Sequence, residues 1–214
     1  MKGLIIKEFI MFKKHLFTFG LIILVFSVTA IFAENSLYLI LPVFLSILPV
    51  NFMALDEQSK WNQYSLALPY GRKNIVSSKY IFSFILTLIS MMILTVVYII
   101  SHFINSEAGI NLTYLLFWSF VMGNIYPAIM IPLAFKFNAT NSRTILLVIN
   151  CIFGGIVGGA TTILVSLDNK VTIYKTLFKL FNSPILPVVI IAAIILLYFI
   201  SWAIVVKIYE KREL

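Results

Sequence analysis

A chain of 214 residues that is 61% hydrophobic and 11% charged, with a mean hydropathy of +1.04, holds more apolar sequence than a soluble core needs and belongs with integral membrane proteins. The formal charge of +8 does not point to nucleic acid, because the basic residues sit at the ends of apolar runs instead of forming one stripe. A single cysteine, Cys151, excludes an intrachain disulfide.

The first fifteen residues place Ile5, Phe9, Phe12 and Leu16 on one helical face and Lys7 and Lys14 on the opposite one, which predicts an interfacial helix leading into the membrane. A cleavable signal peptide would also begin with basic residues, but the apolar run that follows is long for one and several more come after it. Six runs have about the length needed to cross the roughly 30 Å hydrocarbon layer. They lie near 16–33, 37–55, 80–101, 112–134, 144–166 and 185–206. The expected fold is therefore all-α and polytopic, one transmembrane domain over residues 1–214. An even number of spans puts both termini on one side. Thirteen of the sixteen Lys and Arg residues fall in the two termini, the 56–79 loop and the 135–143 loop, so these segments are expected to face the cytoplasm.

Between the second and third runs lies DEQSKWNQYSLALPYGRKNIVSSK, Asp56 to Lys79, the largest expected water-facing stretch. Asp56 is placed to cap a short helix carrying Trp61, Tyr64 and Leu68 on one face. Leu68-Pro69-Tyr70-Gly71 has the form of a turn, and Asn74 is placed to cap the helix that re-enters the apolar phase. Such an element either rests its Trp and Tyr among lipid headgroups or docks a partner.

No Asp, Glu, Lys or Arg falls within the expected spans, which disfavours an ion-coupled carrier. Pro42 and Pro49 are expected to bend the second span, and Pro127 and Pro132 the fourth; their freed carbonyls need hydroxyl or neighbouring-helix donors. In the fifth span Gly154, Gly155, Gly158 and Gly159 form two overlaid small-xxx-small pairs that let another helix approach. Residues 168–182 read as an amphipathic outer helix with Val171, Tyr174, Leu177, Phe178 and Phe181 on its apolar side.

No phosphate-binding loop, catalytic triad or metal-ligand spacing is present, so no catalytic or metal residues are assigned and no cofactor is expected on the chain. With neither an intramembrane charge nor a nucleotide motif, pumping energy would have to come from a partner. A non-transport scaffold or sensor whose loop binds a soluble protein is the alternative.

The arrangement of interfacial helix, six spans with both ends inside, an amphipathic loop element and an outer helix resembles the type-2 membrane family of ATP-binding-cassette (ABC) permeases. The string D-E-x-S-K-W-x-x-Y-x-x-x-L-P-x-x-R-x-x-I-V-x-S-K-Y from Asp56 to Tyr80 is similar to that of small bacterial permeases associated with export of antimicrobial or amphipathic peptides. The resemblance implies a bacterial plasma-membrane protein that pairs with itself or a similar permease and binds two copies of a separate ATPase, which carries ATP and Mg. It also implies that the loop is a coupling helix, with Asp56, Glu57, Ser59, Lys60, Trp61, Tyr64, Leu68, Pro69 and Arg72 as its motif residues.

Overall fold

A computed structural model describes residues 2–32, 40–66, 71–104, 112–137, 148 and 185–210. Among these there are helices and no strands: α1 (Lys2–Lys14), α2 (Leu16–Phe32), α3 (Ile40–Gln58), α4 (Trp61–Leu66), α5 (Arg72–Ile104), α6 (Leu112–Phe137) and α7 (Ile185–Glu210). The expected fifth span with its four glycines, the outer helix over 168–182, and Leu68 and Pro69 lie outside the described residues.

Three of the helices, α5, α6 and α7, are long and apolar enough to cross a membrane, and α1 with α2 adds a fourth if that bent pair is one span. The axes of α1 and α2 meet at 67°, a bend suited to a helix that lies along the interface and then turns inward. The turn falls at His15, whose N–H donates to Phe12 O and whose ring lies 6.0 Å from that of Phe19. α3 has 19 residues, or about 28 Å at 1.5 Å per residue, and α5 has 33, or about 50 Å. Most of the surplus length of α5 lies in the polar turns before Tyr80, where a helix had been expected from Asn74 onward and is observed from Arg72.

α6 packs against α3, α5 and α7 and forms the centre of the described bundle. It remains one helix through Pro127 and Pro132 because its neighbours supply the donors that proline removes. Pro127 frees Gly123 O, which lies 3.2 Å from Thr87 Oγ1 of α5 and shares that hydroxyl proton with Ser83 O at 3.1 Å. Pro132 frees Ala128 O, which accepts from Ser201 Oγ of α7 at 2.6 Å. The expectation that hydroxyls take up these carbonyls is met at both sites. Pro42 is the third residue of α3 as described, and the carbonyl it would free, that of residue 38, lies outside the described residues.

Ser201 has one proton and gives it to Ala128 O, so the 2.7 Å contact between Tyr80 Oη and Ser201 Oγ is donated by the tyrosine. Tyr198 Oη donates to Tyr80 O at 2.7 Å, and Trp202 Nε1 to Ser77 Oγ at 3.0 Å. These bonds join α5 and α7 along a ladder of aromatic and hydroxyl groups. Ser201→Ala removes the donor to Ala128 O and the acceptor of Tyr80, so it is expected to destabilise the bundle by about 1–2 kcal/mol, towards the upper end for polar contacts between membrane helices. The aggregation temperature in mild detergent checks this, with Ser201→Thr, which keeps the hydroxyl, as the comparison.

Candidate functional site

The C-terminal ends of α3, α6 and α7, the N-terminal end of α5, and α1 converge on one apolar cluster. It contains Leu4, Met53, Val76, Tyr80, Ile131, Phe135, Val205 and Tyr209, with Trp61 packed at its edge. The basic segments that the positive-inside rule grouped together are thus brought to one end of the bundle.

At that end the backbone departs from the sequence reading. α3 continues to Gln58, so Asp56 sits in its last turn and does not cap α4. The break comes at Lys60, whose φ of 54° is left-handed, a common way for a helix to stop but one that costs a residue with a Cβ about 1 kcal/mol. Lys60 N–H still donates to Glu57 O at 3.0 Å, while Lys60 O accepts Tyr64 N–H at 3.3 Å and so opens α4. The side chain of Ser59 closes back on Asp56 O at 3.1 Å. Nor does Asn74 cap α5. That helix starts at Arg72, and Asn74 N–H donates to Gly71 O at 2.8 Å.

The second departure is electrostatic. Glu8, Asp56 and Lys79 are 1%, 2% and 4% exposed, although Asp56 and Lys79 had been placed in the water-facing loop and Lys7 on the water-facing side of α1. Lys79 lies within α5, in the turn just before the expected span 80–101, which itself holds no charge. The four groups form a closed ring. Lys79 Nζ donates to Glu8 Oε1 at 2.6 Å and to Asp56 Oδ2, while Lys7 Nζ donates to Asp56 Oδ1 and lies 3.4 Å from Glu8 Oε1. Two cations and two carboxylates cancel, which is what makes their burial tolerable. Burial, followed by the charge of Lys79, holds the Lys7 ammonium below its ordinary pKa, against the opposing pull of Glu8 and Asp56. The ring joins three helices: α1 through Lys7 and Glu8, α3 through Asp56 and α5 through Lys79.

Loop helix α4 rests on this ring. Lys7 Nζ lies 4.5 Å from the centroid of the Trp61 ring, a cation–π contact, so one ammonium is shared between Asp56 and Trp61. The Trp61 ring also lies 5.4 Å from that of Tyr64, tilted by 47°. The two aromatics divide the work: Trp61 packs inward, whereas Tyr64 is 60% exposed. Glu57 borders the small space between Trp61, Asp56 and Lys79. Arg72 is turned away from α4: its Nη1 donates to Glu210 O at 2.6 Å and reaches Tyr209 O at 3.4 Å, which satisfies carbonyls in the last turn of α7.

Sequence reasoning missed Glu8, Lys7 and Lys79 as parts of a site. The signal was present: Glu8 is the one acid of α1 and follows Leu4 by four residues on the buried stripe, and Lys79 falls between the buried Val76 and Tyr80. A charge on an apolar stripe implies a buried partner.

A second feature lies between α5, α6 and α7, a groove of about 520 Å³ walled by Tyr80, Phe84, Phe120, Tyr198, Phe199 and Trp202 and bordered by Asn124 and Ser77. Among the described residues no charged side chain lines it. Among the described residues no cluster of His, Cys, Asp or Glu is arranged to hold a metal ion.

The family model described as "ABC-2 family transporter protein" matches residues 3–210. No curated protein and no solved structure matches the chain.

Proposed function

We propose that this chain, which belongs to the ABC-2 transporter family and is thereby a permease component of an ABC transporter, is the membrane subunit of an exporter of amphipathic peptides or other hydrophobic substrates. It is a membrane transport component and not itself a catalyst; a separate ATPase binding ATP and Mg would supply the energy. On this reading α4 is the element that docks the ATPase, six spans cross a bacterial plasma membrane with both termini in the cytoplasm, and two permease copies close with two ATPases by twofold symmetry.

The observation that carries the reading is the position of α4. A short aromatic helix is held at the end of the bundle where the basic segments gather, its inner aromatic anchored by a buried ion ring and its outer aromatic left exposed. Such an end presents a preformed surface to a soluble partner. The uncharged aromatic groove between α5, α6 and α7 suits a hydrophobic cargo better than a polar one.

The test is reconstitution. The chain is co-expressed with a phosphate-loop ATPase, purified as a complex and placed in inside-out vesicles with a fluorescent amphipathic peptide outside. ATP-dependent uptake of the peptide is expected, with none when the ATPase carries a substitution of its phosphate-loop lysine. Association without ATP-driven movement of any hydrophobic probe would instead leave the chain as a membrane scaffold.

A further inference from the structure

The ion ring has a part that structural need alone does not account for. An uncharged core of similar volume is often as stable as a buried ion cluster, or more so, and this ring carries a defect of its own: Glu8 Oε2 is buried without a hydrogen-bond partner among the described residues. What the ring does that an apolar core would not is fix directions. Lys79 ties α5 to both carboxylates, Glu8 brings α1 in, and Lys7 extends from α1 to touch Asp56 at the end of α3 and Trp61 at the start of α4. Between Asp56 and Trp61 the backbone passes through the left-handed residue Lys60, in a junction of two residues, Ser59 and Lys60, outside regular helix. The backbone alone therefore gives α4 a swivel, and Lys7 bridges across it.

We propose that Lys7 is a positioning residue for α4: held by the Glu8–Lys79–Asp56 ring, it clamps Trp61 across the Lys60 swivel, so that α4 and the interfacial helix α1 move as one body. This rests on the reading of α4 as the docking element, and it adds that α1 shares the displacement a partner imposes there. The swivel lets the orientation of α4 change, and the clamp passes that change to α1 and, through Lys79, to α5. Lys7 suits the role because its ammonium faces a carboxylate and an aromatic ring at once, and its side chain is 19% exposed, near enough to the surface to be released without unfolding the core.

Hydrogen exchange of backbone amides in the full chain, in lipid nanodiscs without a partner, reads the clamp directly. Lys7→Met keeps most of the stem and removes the cation. Exchange over 61–66 is expected to rise at least tenfold, with exchange over α3 and over 80–104 unchanged. Lys7→Arg, which keeps the charge and can stack on Trp61, is expected to restore protection. Unchanged exchange at α4 overturns the proposal, and so does a rise throughout α3 and α5, which would make Lys7 a general stabiliser. The same variants in the ATPase complex then separate the two readings. ATP-driven transport per recovered complex should fall at least tenfold in Lys7→Met, beyond whatever the freed α4 takes from ATPase recovery. Loss of α4 protection together with full transport defeats the transmission role. If instead no ATPase associates with wild type, yet α4 loses protection in Lys7→Met, the docking reading falls and the clamp stands.

Discussion

Lys79→Met is expected to destabilise the folded chain by about 3–5 kcal/mol, the usual cost of removing one partner from a buried ion cluster. Lys79 is the only group that bonds both Asp56 and Glu8 at close range from α5, and it is 4% exposed, so water cannot replace it. Its loss leaves two carboxylates facing the single ammonium of Lys7, with Glu8 Oε1 only 3.4 Å from it and Glu8 Oε2 without a hydrogen-bond partner among the described residues. The cluster then carries one net negative charge in a poorly solvated place, and one carboxylate must take up a proton or water must enter. For a chain of this length the loss corresponds to a fall in unfolding temperature on the order of 10 °C. The double change Glu8→Gln with Lys79→Met removes one charge of each sign and leaves the Lys7–Asp56 pair intact, so it should recover more than half of the loss. Thermal aggregation of the purified variants in one detergent gives both values. A double variant no more stable than Lys79→Met would show that charge balance is not what matters at this ring.

Much of the fold could be read from the chain because apolar length and period determine it. A helix was expected over the first fifteen residues and is observed as α1, and the runs near 16–33, 37–55, 112–134 and 185–206 correspond to α2, α3, α6 and α7. The prolines of α6 illustrate how far local chemistry reaches: Pro127 and Pro132 announce two freed carbonyls, but not that Thr87 and Ser201 would meet them, since those partners lie 36 and 73 residues from their acceptors. The site was less legible for the same reason. Asp56 next to Glu57, Ser59 and Lys60 reads locally as a polar loop, and an Asp ahead of an aromatic run reads as a cap. The fact that overrides this is tertiary, the arrival of Lys7 and Lys79 from elements 49 and 23 residues away. Once those ammonium groups are in place Asp56 is better held by them inside α3 than by amides at a helix start, so α3 runs two residues beyond it and the break moves to Lys60. Lys79 reads in sequence as the last residue of the water-facing loop because the apolar run starts at Tyr80, whereas helix α5 already starts at Arg72, so helix and span boundaries differ there.

Tyr64→Ala is expected to weaken association with the ATPase roughly thirtyfold, corresponding to about 2 kcal/mol for loss of a central aromatic from an interface. Sequence alone favoured Trp61 for this role as the larger ring, but Trp61 lies against the bundle with Lys7 over its face, and Tyr64 is the aromatic turned to solvent. The two substitutions should therefore differ in kind. Removing Tyr64 takes away contact area and leaves Trp61 in its place beneath Lys7, so the permease should keep its thermal stability while recovery of the ATPase falls. Trp61→Ala strips the inner support of α4: it should lower stability by about 1–2 kcal/mol through lost packing and the lost cation–π contact, and weaken association indirectly by freeing the helix. Trp61→Phe retains a ring under the ammonium and should lie between Trp61→Ala and wild type on both measures. Co-purification at matched expression, paired with aggregation temperature, gives the two axes on which these variants separate. A loss of stability in Tyr64→Ala equal to that in Trp61→Ala would put both rings inside the fold and leave α4 without an exposed anchor. Full recovery of the ATPase with Tyr64→Ala, Trp61→Ala and Trp61→Phe alike would place the partner surface elsewhere on the bundle end and return α4 to the headgroup layer.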